Sequence, residues 1–494
     1  MIKISGEKLS LEEIESVADN FEEVQLAEES LNKINASSEY IEEIVKKGKI
    51  IYGITTGFGK LYDRVISEQD IAKLQENLLK SHASGIGEPL SEREVRAAIA
   101  VRANSLARGY SGIRKVTIEK LIDLLNYKIY PYVPSYGSLG ASGDLTPLAH
   151  IALLIIGRGK VIRNGIVQDA LPVLKEKNIE PLNGLNAKEG LALINGTAAE
   201  AGIASLLLTE AKYIFFVSLK AASLSMEALR ARKEAFDLRI QRVRIHAGQE
   251  EVAKFVLNET IGSKLINSVN RVQDAYSIRC IPSVHGAVLD NLKFIEDTLT
   301  KEVNAVTDNP IVFEDDDDIL SGGNFHGEPV AFAMDLFGII MSEIGSVAER
   351  RINRLLNPAL SEGLPAFLIK DAGLNSGLMI LQYTAAALVS ENKMLCHPAS
   401  VDSIPVSADQ EDHVSMGMNA VLKAKKILEN VEKIVAIELF VAAQAIDFVG
   451  EKLLGQGTGK TYQTIRKDIA FAEEDREFSY DISKLYTILK TRNI

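Results

Sequence analysis

Met418–Val449, MNAVLKAKKILENVEKIVAIELFVAAQAIDFV, contains neither glycine nor proline. Nothing in it interrupts a helix. Up to Lys433 it mixes charged and apolar residues; after Ile434, apolar residues continue around most of the helix. A helix apolar on nearly all sides is buried on nearly all sides. Residues 197–230, 330–356 and 375–395 are similarly poor in breakers and rich in Ala, Leu, Ile, Glu and Lys. Several such helices predict a mainly α fold with a long bundle core, part of it buried between subunits. Strand-like segments are few: Lys160–Val167 around an Asn164-Gly165 turn, and Pro310–Ser321 around an acidic tip. Neither an internal repeat nor an interdomain linker is visible. The expected organisation is one integrated unit: an N-terminal part over 1–200, a long-helix bundle over 201–450, and a helical tail over 451–494.

Toward the N-terminus, Ser10 followed by Glu13 forms a capping-box pattern ahead of Leu11, Ile14 and Val17, and residues 1–50 read as short charged helices. Gly53-Ile-Thr-Thr-Gly57-Phe-Gly59 reads as loop. The net charge is −12. An acidic chain has little electrostatic reason to bind nucleic acid, whose phosphates call for basic groups. There is no polybasic segment to attract anionic lipid. The most apolar stretch, residues 201–218, carries Glu210 and Lys212 in its middle, so a buried core helix is expected rather than a membrane span. Cys280 and Cys396 make neither a disulfide framework nor a zinc-ligand set, and reduced thiols are expected. The first residues show no apolar signal region, which predicts a cytoplasmic location.

Three patterns resemble functional motifs without meeting their requirements. Gly455-Gln-Gly457-Thr-Gly459-Lys460-Thr461 approaches a phosphate-binding loop, but Leu454 stands where its first glycine belongs and no strand precedes it. A flexible glycine-rich connection is expected there. Glu314–Asp318 lacks the spacing of a calcium loop. The seven histidines form no metal pair at helical spacing, so no metal is predicted.

The segment that carries chemistry is Gly137-Ser-Leu-Gly-Ala141-Ser142-Gly143-Asp144-Leu-Thr-Pro-Leu-Ala-His150. Its plain reading is a helix entry with Ser142 or Asp144 as N-cap. A tight bend also permits something sharper, the attack of the Gly143 nitrogen on the Ala141 carbonyl carbon. Glycine reaches the dihedrals this needs. Loss of two waters, one from Ser142, would leave an electrophilic methylidene-imidazolone. Spacing allows this ring and does not demand it.

The loop resembles the prosthetic-group loop of the ammonia-lyase and aminomutase family that includes histidine, phenylalanine and tyrosine ammonia-lyases. Six further blocks match in order: Tyr52–Gly59, Ser81–Pro89, Asn195–Thr197, Gln273–Cys280, Ser321–His326 and Gln410–Gly417. The resemblance runs from about residue 2 to 450. It implies the long helical bundle of the fumarase/aspartase-like superfamily, a homotetramer with active sites shared between subunits, and no added cofactor. Ala141, Ser142 and Gly143 would form the electrophile, with Asn195 supporting it. Tyr52 would act at the substrate β-proton, with its hydroxyl pKa lowered by a helix end or a cation. Tyr276 and Arg279 would share a helix face, Arg279 holding the substrate carboxylate. Phe325 would wall the pocket.

His82 and Glu411 match positions that histidine ammonia-lyases use around the imidazole, which makes L-histidine the expected substrate and trans-urocanate the product. A phenylalanine or tyrosine lyase or an aromatic aminomutase would use the same electrophile; an inactive helical scaffold would need none of these residues. Two departures stand out. Leu139 replaces a common Val, and Asp409 stands where Asn is usual, adding a possible negative charge near Glu411.

Overall fold

The computed structural model describes residues 1–494. It is mainly α: eighteen α-helices and four two-stranded sheets. The breaker-poor stretches are the long helices Ala198–Ala228, Glu328–Leu356, Met379–Leu395 and Gly417–Val449. Ala198–Ala228 and Glu328–Leu356 are long and apolar enough to cross a membrane, but 72% and 61% of their apolar windows are buried inside the protein. The chain divides into two compact units. The first comprises residues 1–209, 296–335 and 398–422; the second comprises 210–295, 336–397 and 423–494.

In the first unit, helix Glu92–Ala107 is buried at every residue from Glu94 onward. Two of those residues are arginines, and their charge is placed against backbone oxygens. Arg96 donates to the carbonyls of Val17 and Leu125, and Arg102 donates from Nε to the Ala192 carbonyl at 2.9 Å. A buried ion needs such partners. Arg102 thereby holds the short helix Glu189–Ile194, which ends at Asn195. The start of that helix is held by a fully buried ion pair, Lys188 Nζ to Asp308 Oδ2 at 2.7 Å. Gly196 (φ +143°) then lets the chain reverse into Ala198–Ala228.

Both expected hairpins are present. Lys160–Arg163 pairs with Ile166–Asp169 through Asn164 and Gly165, both at positive φ as a tight hairpin turn requires. Ile311–Phe313 pairs with Asp318–Leu320 across the acidic tip. Ser10 and Glu13 form the reciprocal capping box. Two strand pairs were not anticipated: Ile2–Ile4 with Val24–Leu26, and Ile86–Pro89 with Pro134–Tyr136. Three or four residues are too few for alternation to be read.

The second unit contains the end of Gly417–Val449, where Ile434, Val435, Ala436, Ile437, Leu439 and Phe440 have no exposed surface. Their all-round apolar character is therefore satisfied within one chain and does not itself require a partner subunit. The polar residues on this helix are matched individually. Glu438 receives Arg351 (Nε–Oε1 2.5 Å, Nη2–Oε2 2.8 Å) and the Ser225 hydroxyl at 2.8 Å. Gln444 donates to the carbonyls of Leu368 and Ala472.

The segment read as a flexible glycine-rich connection is instead helical, Gln456–Asp468. The carboxylate of Glu227 accepts from the Gly455 amide at 3.0 Å and the Thr458 hydroxyl at 2.7 Å. An anion at a helix N-terminus stabilises it. A Cβ at Gly457 would lie 2.6 Å from Glu259 Cδ, so this glycine allows close packing rather than flexibility.

Arg351→Met should cost about 3–5 kcal/mol, because it leaves Glu438 charged and buried without its partner. Arg351→Met combined with Glu438→Leu should lose less than Arg351→Met alone. Urea unfolding of the two variants measures the difference.

Candidate active site

The loop 137–143 enters helix Leu145–Ile155 through Asp144. Gly140 (φ +67°) and Gly143 (φ +71°) adopt backbone that other residues rarely reach. Gly143 pairs with Gly196, and a Cβ on Gly143 would collide with the Gly196 backbone. The Asp144 amide donates to the Gly196 carbonyl at 2.7 Å. The fully buried Asp144 carboxylate caps not its own helix but Ala198–Ala228: Oδ2 accepts from the Glu200 amide at 2.8 Å, and Oδ1 accepts from the Ser138 hydroxyl at 2.8 Å. Burial raises its pKa to about 6 against the opposing effect of those donors. From behind, Met416 N–H donates to the Leu139 carbonyl at 2.8 Å and Ser415 Oγ donates to the Gly140 carbonyl at 3.1 Å.

The loop forms one wall of a cavity of about 1020 Å³ in the first unit. Tyr52, His82, Ala141, Ser142, Asn195, Phe325 and Glu411 all line it. Gly143 lines a smaller cavity of about 260 Å³, with Ser142, His82 and Glu411 again in its wall. Asn195 Nδ2 donates to the Ser142 carbonyl at 2.7 Å, and the Ser142 hydroxyl donates to Glu411 Oε1 at 2.9 Å.

His82 ends helix Ile71–His82, with Nδ1 2.9 Å from the Leu78 carbonyl. A carbonyl only accepts, so Nδ1 carries the hydrogen and Nε2 is left as an acceptor. Burial lowers the His82 pKa, while the Leu78 carbonyl and Glu411 oppose the shift; the ring is neutral at neutral pH. Tyr52 departs from the sequence expectation. Its pKa is raised, first by burial and then by Glu411, and only the Gly59 amide, donating to the hydroxyl at 3.2 Å, works the other way. No cation of this chain is among the groups that shift it.

Tyr276 and Arg279 do not line the cavity. They belong to the second unit, on the short helix Tyr276–Arg279, where the guanidinium lies 4.7 Å over the Tyr276 ring and donates to Gln273 Oε1 at 2.8 Å. They do share a helix face, and Tyr276 is 70% exposed. Asp409 does not line the cavity either. It is the third of three consecutive residues in left-handed backbone, Ser407, Ala408 and Asp409 (φ +55°, +51°, +60°). This turn is closed by mutual backbone hydrogen bonds between Val406 and Glu411. Its place is in the geometry that presents Glu411, where Asp and Asn are both tolerated.

Residues 9–467 match the family described as "Aromatic amino acid lyase". The chain belongs to this family. Over 495 aligned residues the lyase is 49% identical to the histidine ammonia-lyase of Caldanaerobacter subterraneus subsp. tengcongensis, covering 100% of this chain and 97% of that one. Among solved structures it is similar to histidine ammonia-lyase from Trypanosoma cruzi (TM-score 0.92, 41% identity, covering 99% of this chain and 93% of that one). It is also similar to tyrosine aminomutase from Streptomyces globisporus (TM-score 0.95, 38% identity, covering 99% and 97%).

The family implies a methylidene-imidazolone, and the residues present fit it. The glycine cradle at Gly143 and Gly196 leaves no room for a Cβ, Asn195 is bonded to the Ser142 carbonyl, and the Ser142 hydroxyl faces the cavity.

Two features of the lyase escaped the sequence reading. His326, Glu328 and His413 place one potential ligand atom each within 4.8 Å of the others, with the two imidazoles stacked at 5.8 Å. Residue 413 is remote from 326–328 in sequence, so spacing could not reveal this. Behind the loop, the Glu200 carboxyl is completely buried, and neither oxygen has a hydrogen-bond partner. Cβ atoms at Gly327 and Gly417 would collide with it. The residues that enclose it, Gly327 and Gly417, are more than a hundred positions away, so no local pattern marks it. Burial first, then Asp144, Glu302 and Glu328, hold its pKa well above the usual carboxylate value.

A carboxyl raised on folding stabilises the native state fully only below its unfolded pKa, about 4.3, and that contribution is lost as pH rises toward the folded value. Glu200→Gln removes the titration. The urea midpoint of the variant should therefore rise relative to the parent as pH increases from 5 to 9, which paired unfolding curves check. Asp409→Asn should change stability by no more than about 0.5 kcal/mol and leave the products formed from different amino acids unchanged, as assays of both chains would show.

Proposed function

We propose that this lyase eliminates ammonia from L-histidine to give trans-urocanate. The observation that carries the reading is the meeting of Ser142, Asn195, His82 and Glu411 in one cavity. The two ends of the substrate have opposite needs there: an electrophile for the amine and polar partners for the imidazole. Near-full-length similarity to histidine ammonia-lyases supports the same assignment. When formed from Ala141-Ser142-Gly143, the methylidene-imidazolone supplies the electrophilic carbon that turns the amine into a leaving group.

The remaining tasks fall to the chain's own side chains. Asn195 holds the Ser142 carbonyl and fixes the loop against the helix end at residue 195. Glu411 accepts one imidazole N–H, and His82 Nε2 offers a second acceptor for a substrate N–H. Phe325 excludes water from one side of the cavity. Tyr52 takes the β-proton; the Gly59 amide donates to its oxygen and favours the phenolate.

Burial has raised the phenol, so Tyr52 needs a cation or helix end from outside this chain. Arg279 is assigned to the substrate carboxylate and Tyr276 to the reacting end, both supplied from another copy in a homotetramer. Assembly is supported by large apolar side chains exposed on the long helices, including Phe332, Ile339, Tyr383 and Met394. The acidic charge and the small-molecule site suit a cytoplasmic enzyme with no nucleic-acid partner.

The test is a parallel assay with L-histidine, L-phenylalanine and L-tyrosine, following ammonia and each unsaturated acid. Urocanate from histidine alone is expected. Cinnamate, coumarate or a β-amino acid would keep the elimination chemistry and overturn the imidazole assignment. Ser142→Ala should keep the helical circular dichroism and lose at least about a hundredfold in rate, because no electrophilic carbon remains to capture the amine and a covalent route contributes at least as much as a positioned acid or base.

A further inference from the structure

The hydroxyl that must leave Ser142 is already engaged: Ser142 Oγ donates to Glu411 Oε1 at 2.9 Å. Ser142 and Glu411 also face each other across the smaller cavity beside the loop, in company with Gly143. The contact spans 269 residues of sequence, so the fold rather than local turn geometry creates it. The turn that delivers Glu411 is built from three left-handed non-glycine residues, each a conformation that costs free energy. Among the side chains touching the Ser142 hydroxyl, Glu411 is the one able both to take and to return a proton.

We propose that Glu411 carries the proton in the dehydration of Ser142, acting in the making of the electrophile before it acts on substrate. The inference rests on the reading above that Ala141-Ser142-Gly143 cyclises. The Glu411 carboxylate removes the Ser142 Cα proton, and the C–H electron pair becomes the Cα–Cβ double bond. The Cβ–Oγ bond breaks onto oxygen. The same proton passes from Glu411 to that oxygen, which departs as water, and the carboxylate is restored. No external acid, base or oxidant is consumed. The other water comes from the closure between Gly143 N and the Ala141 carbonyl and does not involve Glu411.

A second consequence is built in. In the unprocessed chain one oxygen of Glu411 is occupied by Ser142, so the carboxylate assigned to the imidazole is masked. Loss of the hydroxyl uncovers it. Dehydration therefore creates the electrophile and frees its specificity partner in one event.

The experiment is timed synthesis of the full chain, its Glu411→Gln and its Glu411→Ala variants in a cell-free system. The fragment carrying residues 141–143 is then weighed at intervals. The parent should lose the mass of two waters. Both variants should lag, by on the order of a hundredfold for loss of a positioned proton carrier, while their circular dichroism matches the parent. If Glu411→Ala fails to fold, Glu411→Gln decides, since it preserves shape and hydrogen bonding but cannot carry the proton. Dehydration of Glu411→Gln at the parental rate overturns the proposal and leaves the ammonia-lyase reading standing. A parent chain that loses no water overturns both.

Discussion

A single buried carboxylate, Asp144, ties the chemistry of this chain to its architecture. It ends the loop that carries Ala141-Ser142-Gly143, yet its oxygens serve the amide of Glu200 and the hydroxyl of Ser138. One residue thus locks the loop to the first turn of the 31-residue helix Ala198–Ala228. The contact of Gly143 with Gly196 depends on that lock, and so does the reach of Asn195 to the Ser142 carbonyl. Arg102 and Lys188 hold the other side, fixing the helix that delivers Asn195. Asp144 and Arg102 spend their buried charge on backbone groups, and Lys188 spends its charge on Asp308.

The electrostatics follow from the same burial. In the protein interior Glu302 raises the pKa of Asp144, and both of them raise that of Glu200. Desolvation outweighs the donors at Asp144, and nothing donates to Glu200 at all. Of the two acidic residues that line the cavity, Asp412 and Glu411, the one that acts on the site is Glu411. It faces Tyr52 and His82, raising the phenol and partly offsetting the fall of the imidazole. The isolated chain therefore presents an acceptor-rich pocket, suited to a ligand that brings N–H donors and positive charge.

Much of this was legible in the residues, for identifiable reasons. Long runs without breakers placed the helices, because periodicity over twenty residues is a strong signal. Ser10 with Glu13 and Asn164 with Gly165 are local devices whose chemistry lies within four residues. The strand Ile2–Ile4 was invisible because its partner is twenty-two residues away and both are three residues long. Gly455–Thr461 misled because its glycines serve close packing on Glu259 and an anion cap from Glu227, both remote in sequence. Within the site, motif blocks brought seven residues to one cavity, but not the surroundings that set their protonation. Burial of Tyr52 and the isolation of Glu200 are properties of packing, not of any pattern in the chain.

The bracing of the loop also has an order in time. Gly140 is held by Ser415 and Gly327, Leu139 by Met416, and Ser142 by Glu411. A ribosome emits residue 143 long before residues 411–417, and domains fold as their segments emerge. The contacts from Glu411, Ser415 and Met416 cannot exist on a chain that ends before those residues. On the proposal that Glu411 drives the dehydration of Ser142, the electrophile is withheld until residue 411 has emerged and folded, and a shorter fragment carries an ordinary serine.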